Sequence, residues 1–472
     1  MIDNVRIINN SIVGKNPFPP FMQNYSVPPP KDKRYYLRGA YNGQRCQLTF
    51  DDDDLTTGLL FLGDAGTGKT NTMLDVANQI LYNLEPGDLV VFFDIKGDYR
   101  RTFYSEGDFV LSPTNDRYVW NIFDELTPLM DRPYVFNMRV NELCQYLYMG
   151  REGNEPYFVN AARAVTACIL KYFLYRAAET NDYSRLNNRE LLRFIRCDGY
   201  GYDDTYDIIR DMLTAYGEFR DSLAYIPPKE LGDKSAYGVI SEIVNMFTDV
   251  FAGAFGATDF GGGEYISAAK FAYGRGAQVI FLEYNPALTA SQSYVFRYFV
   301  DNIIASRTDC FIDGKAHAVS NEHSGKHPLG CKIGKTYIFL DEFARLPKLE
   351  YLSMALNLLR GYGVCVIGGL QDVGQIYMSY KPHEASVILS SFQSVVAFRC
   401  GEQSIKYLQG RTGTVFVSDT YQNPGGSIAY SPPHDRPVIT DRDVLDLEVG
   451  RAIVKHVDHP PFIFRFSKTK TV

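Results

Sequence analysis

The chain of 472 residues carries a formal net charge of −7, with 45% hydrophobic and 22% charged residues, the balance of a globular protein large enough for two or three domains. That acidic balance excludes a protein that coats nucleic acid with a uniformly basic surface and leaves room only for a local basic lining. No apolar run approaches the length of a membrane span, the N-terminus MIDNVRIINN lacks a signal-peptide layout, and the eight scattered cysteines contain no C-x-x-C pair, so a cytoplasmic chain with buried thiols is expected.

Residues 1–34 are rich in Pro and Asn, with Pro17, Pro19, Pro20 and Pro28 to Pro30, and read as an extended arm or a disordered tail. Tyr35 to Phe50 has the pattern of a hairpin turning at Asn42-Gly43. The acids Asp51 to Asp54 read as a solvated loop, since carboxylates beside a phosphate would repel it. Leu59 to Leu62 suits a buried strand, and Asn71 to Tyr82 sets Met73, Val76, Ile80 and Leu81 at helical spacing. Between them stands Gly63-Asp64-Ala65-Gly66-Thr67-Gly68-Lys69-Thr70, the phosphate-binding loop pattern of nucleotide triphosphatases. Glycines let backbone N–H groups wrap phosphate oxygens, and the following helix turns its N-terminus to the anion. Lys69 is expected to reach the β- and γ-phosphates of ATP and Thr70 to hold Mg²⁺, with Asn71 closing the nucleotide-binding set.

Asp88 to Asp98 is a continuous apolar run ending in Asp94, Lys96, Gly97 and Asp98. It suits a strand buried on both faces, whose polar end faces a nucleotide, a neighbouring subunit or solvent. Helical periods replace strands between about 131 and 262. Glu155 to Glu179 presents Phe158, Ala161, Val165, Ile169 and Phe173 in one stripe, Arg189 to Arg196 and Ser235 to Phe255 follow, and Gly261 to Gly263 mark the exit. Strands return at Gln278 to Tyr284, ahead of a helix over 290–306. The polar, irregular stretch 307–335 carries Cys310, His317, His323, His327 and Cys331. A surface loop is the simpler reading and zinc the alternative, although the spacings fit no standard finger.

Lys335 to Glu342 is an apolar strand ending in two acids, the Walker B form. Asp341 would hold Mg²⁺ through water, and Glu342 would orient and deprotonate the attacking water. Tyr351 to Arg360 reads as a helix and Val364 to Gln371 as another buried strand. Gln371 at its end suits a γ-phosphate sensor and Arg360 a finger reaching an adjacent subunit's site, while each alone reads equally as a surface residue.

The run Leu340-Asp341-Glu342-Phe343-Ala344-Arg345-Leu346 resembles the Walker B motif of the type IV secretion coupling proteins, the TraG/TraD-like conjugative DNA-transfer ATPases. Val91 to Gly97 is similar to their second-strand motif, Val119 to Phe123 to the lead into their all-α domain, Ala161 to Arg163 to that domain's opening, and Pro437 to Pro461 to their closing strands. The resemblance spans roughly residues 35–470. In that family a catalytic Arg and a sensor Gln follow the Walker B acids at about the distances of Arg360 and Gln371 here.

The resemblance implies an α/β fold, a RecA-like P-loop NTPase domain with a predominantly parallel sheet plus an inserted all-α domain. The expected organisation is a Pro-rich arm over 1–44, the first part of the RecA-like domain over 45–130, the all-α insertion over 131–262 and the second part over 263–472. It also implies an ATP- and Mg²⁺-dependent homo-hexameric ring that moves DNA, single-stranded and relaxase-bound, or a protein substrate into a conjugation or type IV secretion apparatus. Family members usually begin with two transmembrane helices and this chain does not. It is therefore expected in the cytoplasm or at the inner face of the membrane through a partner. A double-stranded DNA translocase of the FtsK/HerA kind and a nucleotide-dependent adaptor for protein effectors remain as alternatives.

Overall fold

The computed structural model describes residues 22–24, 34–115, 117–151, 156–231, 234–256, 263–272, 276–285, 292–320, 334–346, 348–422, 428–457 and 459–468. The expectations for most of the N-terminal arm, for Gly261 and Gly262, and for His323, His327 and Cys331 fall outside these residues. Strands form at Met22–Asn24 (β1), Tyr35–Tyr41 (β2), Gln44–Phe50 (β3), Leu59–Leu62 (β4), Leu89–Phe93 (β5), Phe109–Leu111 (β6), Tyr118–Trp120 (β7), Glu264–Ile266 (β8) and Gln278–Leu282 (β9). They continue at Thr336–Leu340 (β10), Val364–Leu370 (β11), Ser394–Ala397 (β12), Thr414–Val417 (β13), Thr420–Gln422 (β14), Ile428–Tyr430 (β15), His434–Pro437 (β16), Arg451–Lys455 (β17) and Phe462–Phe466 (β18).

The main sheet runs β1-β3-β2-β18-β17-β12-β4-β11-β10-β5-β9-β6. From β12 to β6 every pairing is parallel. Strands β4, β5, β10, β11 and β12 are buried along their whole length, as strands covered on both faces must be. The other five strands join antiparallel. The α/β class with a predominantly parallel sheet is therefore as the sequence predicts. Asn42 and Gly43 turn the β2–β3 hairpin with φ of 47° and 77°, the two left-handed residues a type I′ turn requires.

The helices are Asp52–Thr56 (α1), Lys69–Tyr82 (α2), Asp98–Phe103 (α3), Pro133–Leu147 (α4), Pro156–Thr180 (α5), Asn188–Ile195 (α6), Thr205–Thr214 (α7) and Lys234–Val250 (α8). Ala268–Ala272 (α9), Ser293–Ser320 (α10), Leu352–Asn357 (α11), Pro382–Ser391 (α12), Glu402–Thr412 (α13) and Asp441–Leu445 (α14) complete them. Two expectations are corrected. Asp51 to Asp54 open α1 instead of forming a loop: Asp51 Oδ1 accepts from Asp54 N at 2.8 Å, and Asp54 Oδ2 accepts from Asp51 N at 2.9 Å. Acids satisfy a helix N-terminus as readily as water does. Helix α10 runs on to Ser320, so 307–320, with the backbones of Cys310 and His317, is helical rather than irregular. A polar helix lacks the apolar stripe by which a helix is read from sequence.

Between β7 and β8 the described residues are helical, with α5 packed on α4 and α8. The parallel pairing of β7 with β8 brings the two ends of that segment together. Under them lies Glu125, whose carboxylate accepts four N–H groups: Trp120 Nε1 at 2.9 Å, Ala268 N at 2.7 Å, Ala269 N at 3.2 Å and Asn302 Nδ2 at 2.8 Å. Burial pushes its carboxyl up to about 7 against the pull of those donors. Asp301 plays the matching part on α10, accepting from Tyr146 Oη at 2.8 Å and from the Glu350 and Tyr351 amides at 3.0 Å. Among the described residues no helix is long and apolar enough to cross a membrane.

Candidate active site

The loop Gly63 to Gly68 leaves β4 in the middle of the sheet and enters α2 directly. Its backbone is pinned from three sides. Gly63 N donates to Leu370 O at 3.1 Å, Asp64 N to Arg399 O at 2.9 Å, and Gly450 N to Thr67 O at 2.9 Å, so the ends of β11 and β12 and the turn before β17 hold it. Gly68 caps α2 with φ of 116°, and a Cβ there would meet the Phe398 ring at 3.3 Å and the Gly450 backbone at 3.4 Å. Only glycine combines that dihedral with that closeness. Lys69 and Thr70 form the first turn of α2, where free backbone N–H groups face outward.

The Walker B acids arrive on β10, two strands from β4. Lys69 Nζ stands 3.0 Å from Asp341 Oδ1, and both side chains are buried. Glu342 follows with φ 58° and ψ 41°, a left-handed conformation costly for a residue with a Cβ. Its Oε1 accepts from Lys96 Nζ and from Gln371 Nε2, the latter at 2.8 Å, while Arg345 Nε lies 3.3 Å from Oε2. Burial alone would raise its pKa, but Lys96 and Gln371 outweigh that and hold it below the usual carboxylate range. Lys69, Thr70, Asn71, Lys96, Glu342 and Gln371 share one cavity of about 920 Å³, within the range of nucleotide-sized sites. Its far wall comes from Arg45, Val449, Gly450, Arg465, Ser467 and Lys468.

The structure therefore brings together the glycine loop, Lys69, Thr70, Asn71, Asp341, Glu342 and Gln371. Arg360 is not among them. It is exposed in the turn that precedes β11, whereas Gln371 follows β11, so a seven-residue strand separates them, roughly 20 Å at the usual rise. Asp94, one of the polar residues ending the β5 run, turns away from the cavity: it is buried and accepts from the Asp98 and Arg100 amides at 3.0 and 2.9 Å, tying down the start of α3. Lys96 is the residue of that run that enters the site. The cavity's far wall had no local signal in the sequence, because its residues arrive through the long-range placing of β3, β17 and β18.

No curated protein sequence matches the chain. Among solved structures it is similar to the bacterial conjugative coupling protein TrwBdeltaN70 in its unbound monoclinic form, at 19% identity and a TM-score of 0.60 over 92% of this chain and 89% of that one. The plasmid coupling protein TrwB in complex with the non-hydrolysable ATP analogue ADPNP matches at 16% identity and a TM-score of 0.61, over 95% and 97% of the two chains. VirB4 of Thermoanaerobacter pseudethanolicus matches at 11% and 0.50, over 93% and 98%. At these identities the likeness carries the fold. The family model described as the type IV secretion-system coupling protein DNA-binding domain matches residues 46–196 and 320–462, more than half of the chain. The glycine loop and both Walker B acids fall inside the matched residues, and the chain belongs to the type IV secretion-system coupling protein DNA-binding domain family.

Proposed function

We infer that the chain is an ATP-driven coupling motor that recruits DNA or a nucleoprotein and translocates it into a conjugation or type IV secretion apparatus. The observation that carries this reading is the contact of Lys69 with Asp341 across 272 positions, with Glu342 and Gln371 on the same cavity. The residues fit a magnesium-bound nucleotide. Thr70 and Asp341 offer the hard oxygen donors that Mg²⁺ takes, and a Cβ built on Gly66 meets nothing within 4 Å, so the loop backbone lies open to phosphate oxygens. When bound, Mg²⁺ would supply charge neutralisation to the nucleotide's phosphates. Lys69 contacts the β- and γ-phosphates, Glu342 orients the attacking water and takes its proton, and Gln371 relays the state of the γ-phosphate to β11.

Arg360 is exposed and does not line its own chain's cavity, and this reading gives it a place at a neighbour's site, which asks for a ring; a homo-hexamer is the form this reading takes. TrwB has been solved with ADP and Mg²⁺ and with ADPNP, which supports a nucleotide at the matching loop here. The DNA-binding designation of the family supports DNA as the partner, and single-stranded, relaxase-bound DNA at a membrane-anchoring secretion partner is the specific form proposed. The purified chain should hydrolyse ATP only with Mg²⁺ and faster with single-stranded than with double-stranded DNA, and Lys69→Ala should abolish turnover in a phosphate-release assay. Wild-type turnover in Lys69→Ala would overturn the site.

A further inference from the structure

Glu342 and Asp341 are each held by a lysine, but the two lysines differ. Lys69 is almost fully buried, with its side chain 5% exposed, and sits in the phosphate loop. Lys96 follows the end of β5, has a side chain 45% exposed, lines the cavity, and reaches to Glu342 Oε1 just past the end of the neighbouring strand β10. Gln371 Nε2 donates to that same oxygen. One carboxylate oxygen thus carries the two donors best placed to meet a terminal phosphate, and the base is occupied by the groups that would report its substrate. A compact ammonium on a four-carbon stem can exchange one anionic partner for another with little rearrangement.

The geometry points to Lys96 as a γ-phosphate-sensing and Glu342-positioning residue: it holds Glu342 when no terminal phosphate is present and transfers its N–H donors to the γ-phosphate when a triphosphate enters, releasing the carboxylate toward water. This rests on the reading of the cavity as a nucleotide site. It makes the cavity discriminate triphosphate from diphosphate by a cation outside the phosphate loop. Charge-assisted bonds from an ammonium to phosphate are among the strong ones, and the diphosphate has no γ-oxygens to receive them.

The test is a fluorescence titration of the full chain, in Mg²⁺, with a fluorescent ADP and a fluorescent non-hydrolysable ATP analogue. Lys96→Met should weaken the triphosphate analogue by roughly tenfold, the size of one charge-assisted hydrogen bond, and leave ADP within about twofold. Lys96→Arg, which keeps the charge, should restore part of the preference. In a Glu342→Gln background, where the carboxylate no longer competes for the ammonium, the triphosphate analogue should bind more tightly than to wild type, and adding Lys96→Met should erase that gain. Equal weakening of both nucleotides by Lys96→Met, or an unchanged ratio between them, would overturn the inference. Wild-type protein that binds neither nucleotide would instead overturn the nucleotide site itself, and Lys69→Ala, expected to lose both, separates the two failures.

Discussion

Gly369 in β11 stands beside Asp341. A Cβ built on it would lie 2.7 Å from Asp341 Oδ1 and 3.0 Å from Met73 Sδ. That oxygen is the one Lys69 touches, and the carboxylate has no long stem with which to retreat. Gly369→Ala should leave the sheet intact, displace Asp341 and cut ATP turnover on the order of 10²-fold, the scale of a one-ångström misplacement. A magnesium titration of the variant's ATPase checks it, and wild-type turnover at every magnesium concentration would refute the placement. At this scale the sequence was informative where chemistry is local. Gly63 to Thr70 and the pair Asp341-Glu342 announce themselves by type and spacing. Lys96 is legible as the polar end of a strand but stays open between a nucleotide, a neighbouring subunit and solvent, since a lysine ending a strand looks the same whether it meets solvent or a carboxylate 246 positions away. The left-handed backbone of Glu342 was hidden, because two donors from other elements, Lys96 and Gln371, hold its side chain there.

The turn Ile122–Glu125 follows β7 and leads into the helical segment, and its two acids, Glu125 buried and Asp124 partly buried, act to different effect. Glu125 bonds entry, exit and α10 to one carboxylate. Asp124 has one amide, Asn121 Nδ2 at 2.8 Å, and burial pushes it up to about 6 despite that bond and the charge of Lys270. Its carboxyl titrates near 3.8 when unfolded, so between about pH 4 and pH 6 the native state binds the extra proton, and stability falls as pH rises through that window. Asp124→Asn keeps the shape and the Asn121 bond. It should gain on the order of 1 kcal/mol at pH 7.5 and nothing at pH 4, read as a flatter dependence of melting temperature on pH. Parallel pH profiles for the two proteins would exclude the assignment. Elements with a strong period, such as β5, β10, β11, α2 and α5, were legible because burial on one or both faces writes itself into apolar spacing. Helix α1 and the far end of α10 were not, because aspartate caps and polar helices leave no such mark.

Seen whole, the chain presents its Walker residues at the carboxyl ends of the central strands β4 and β10, and Arg360 ahead of the amino end of β11 between them. Arg360→Ala should therefore bind the triphosphate analogue as wild type does and lose turnover by about 10³-fold, the lower range for an arginine finger. Mixing it with Lys69→Ala subunits should restore part of the activity, since mixed rings contain sites pairing an intact lysine with a neighbour's intact arginine. ATPase assays across mixing ratios check this, and the absence of any recovery would remove the trans assignment. Sheet order was beyond the reach of sequence, because strands distant in the chain are paired by the packing of their faces rather than by any local code. Strand β4 shows what that means for the chain's birth. Both of its edges are taken by β11 and β12, more than 300 positions later. At 5–20 residues per second a ribosome needs roughly 15–60 s to deliver those partners, during which a fully apolar ribbon waits with two open flanks. The nascent polypeptide is thus a natural client for holding chaperones, and its nucleotide grip can mature only after synthesis is nearly done.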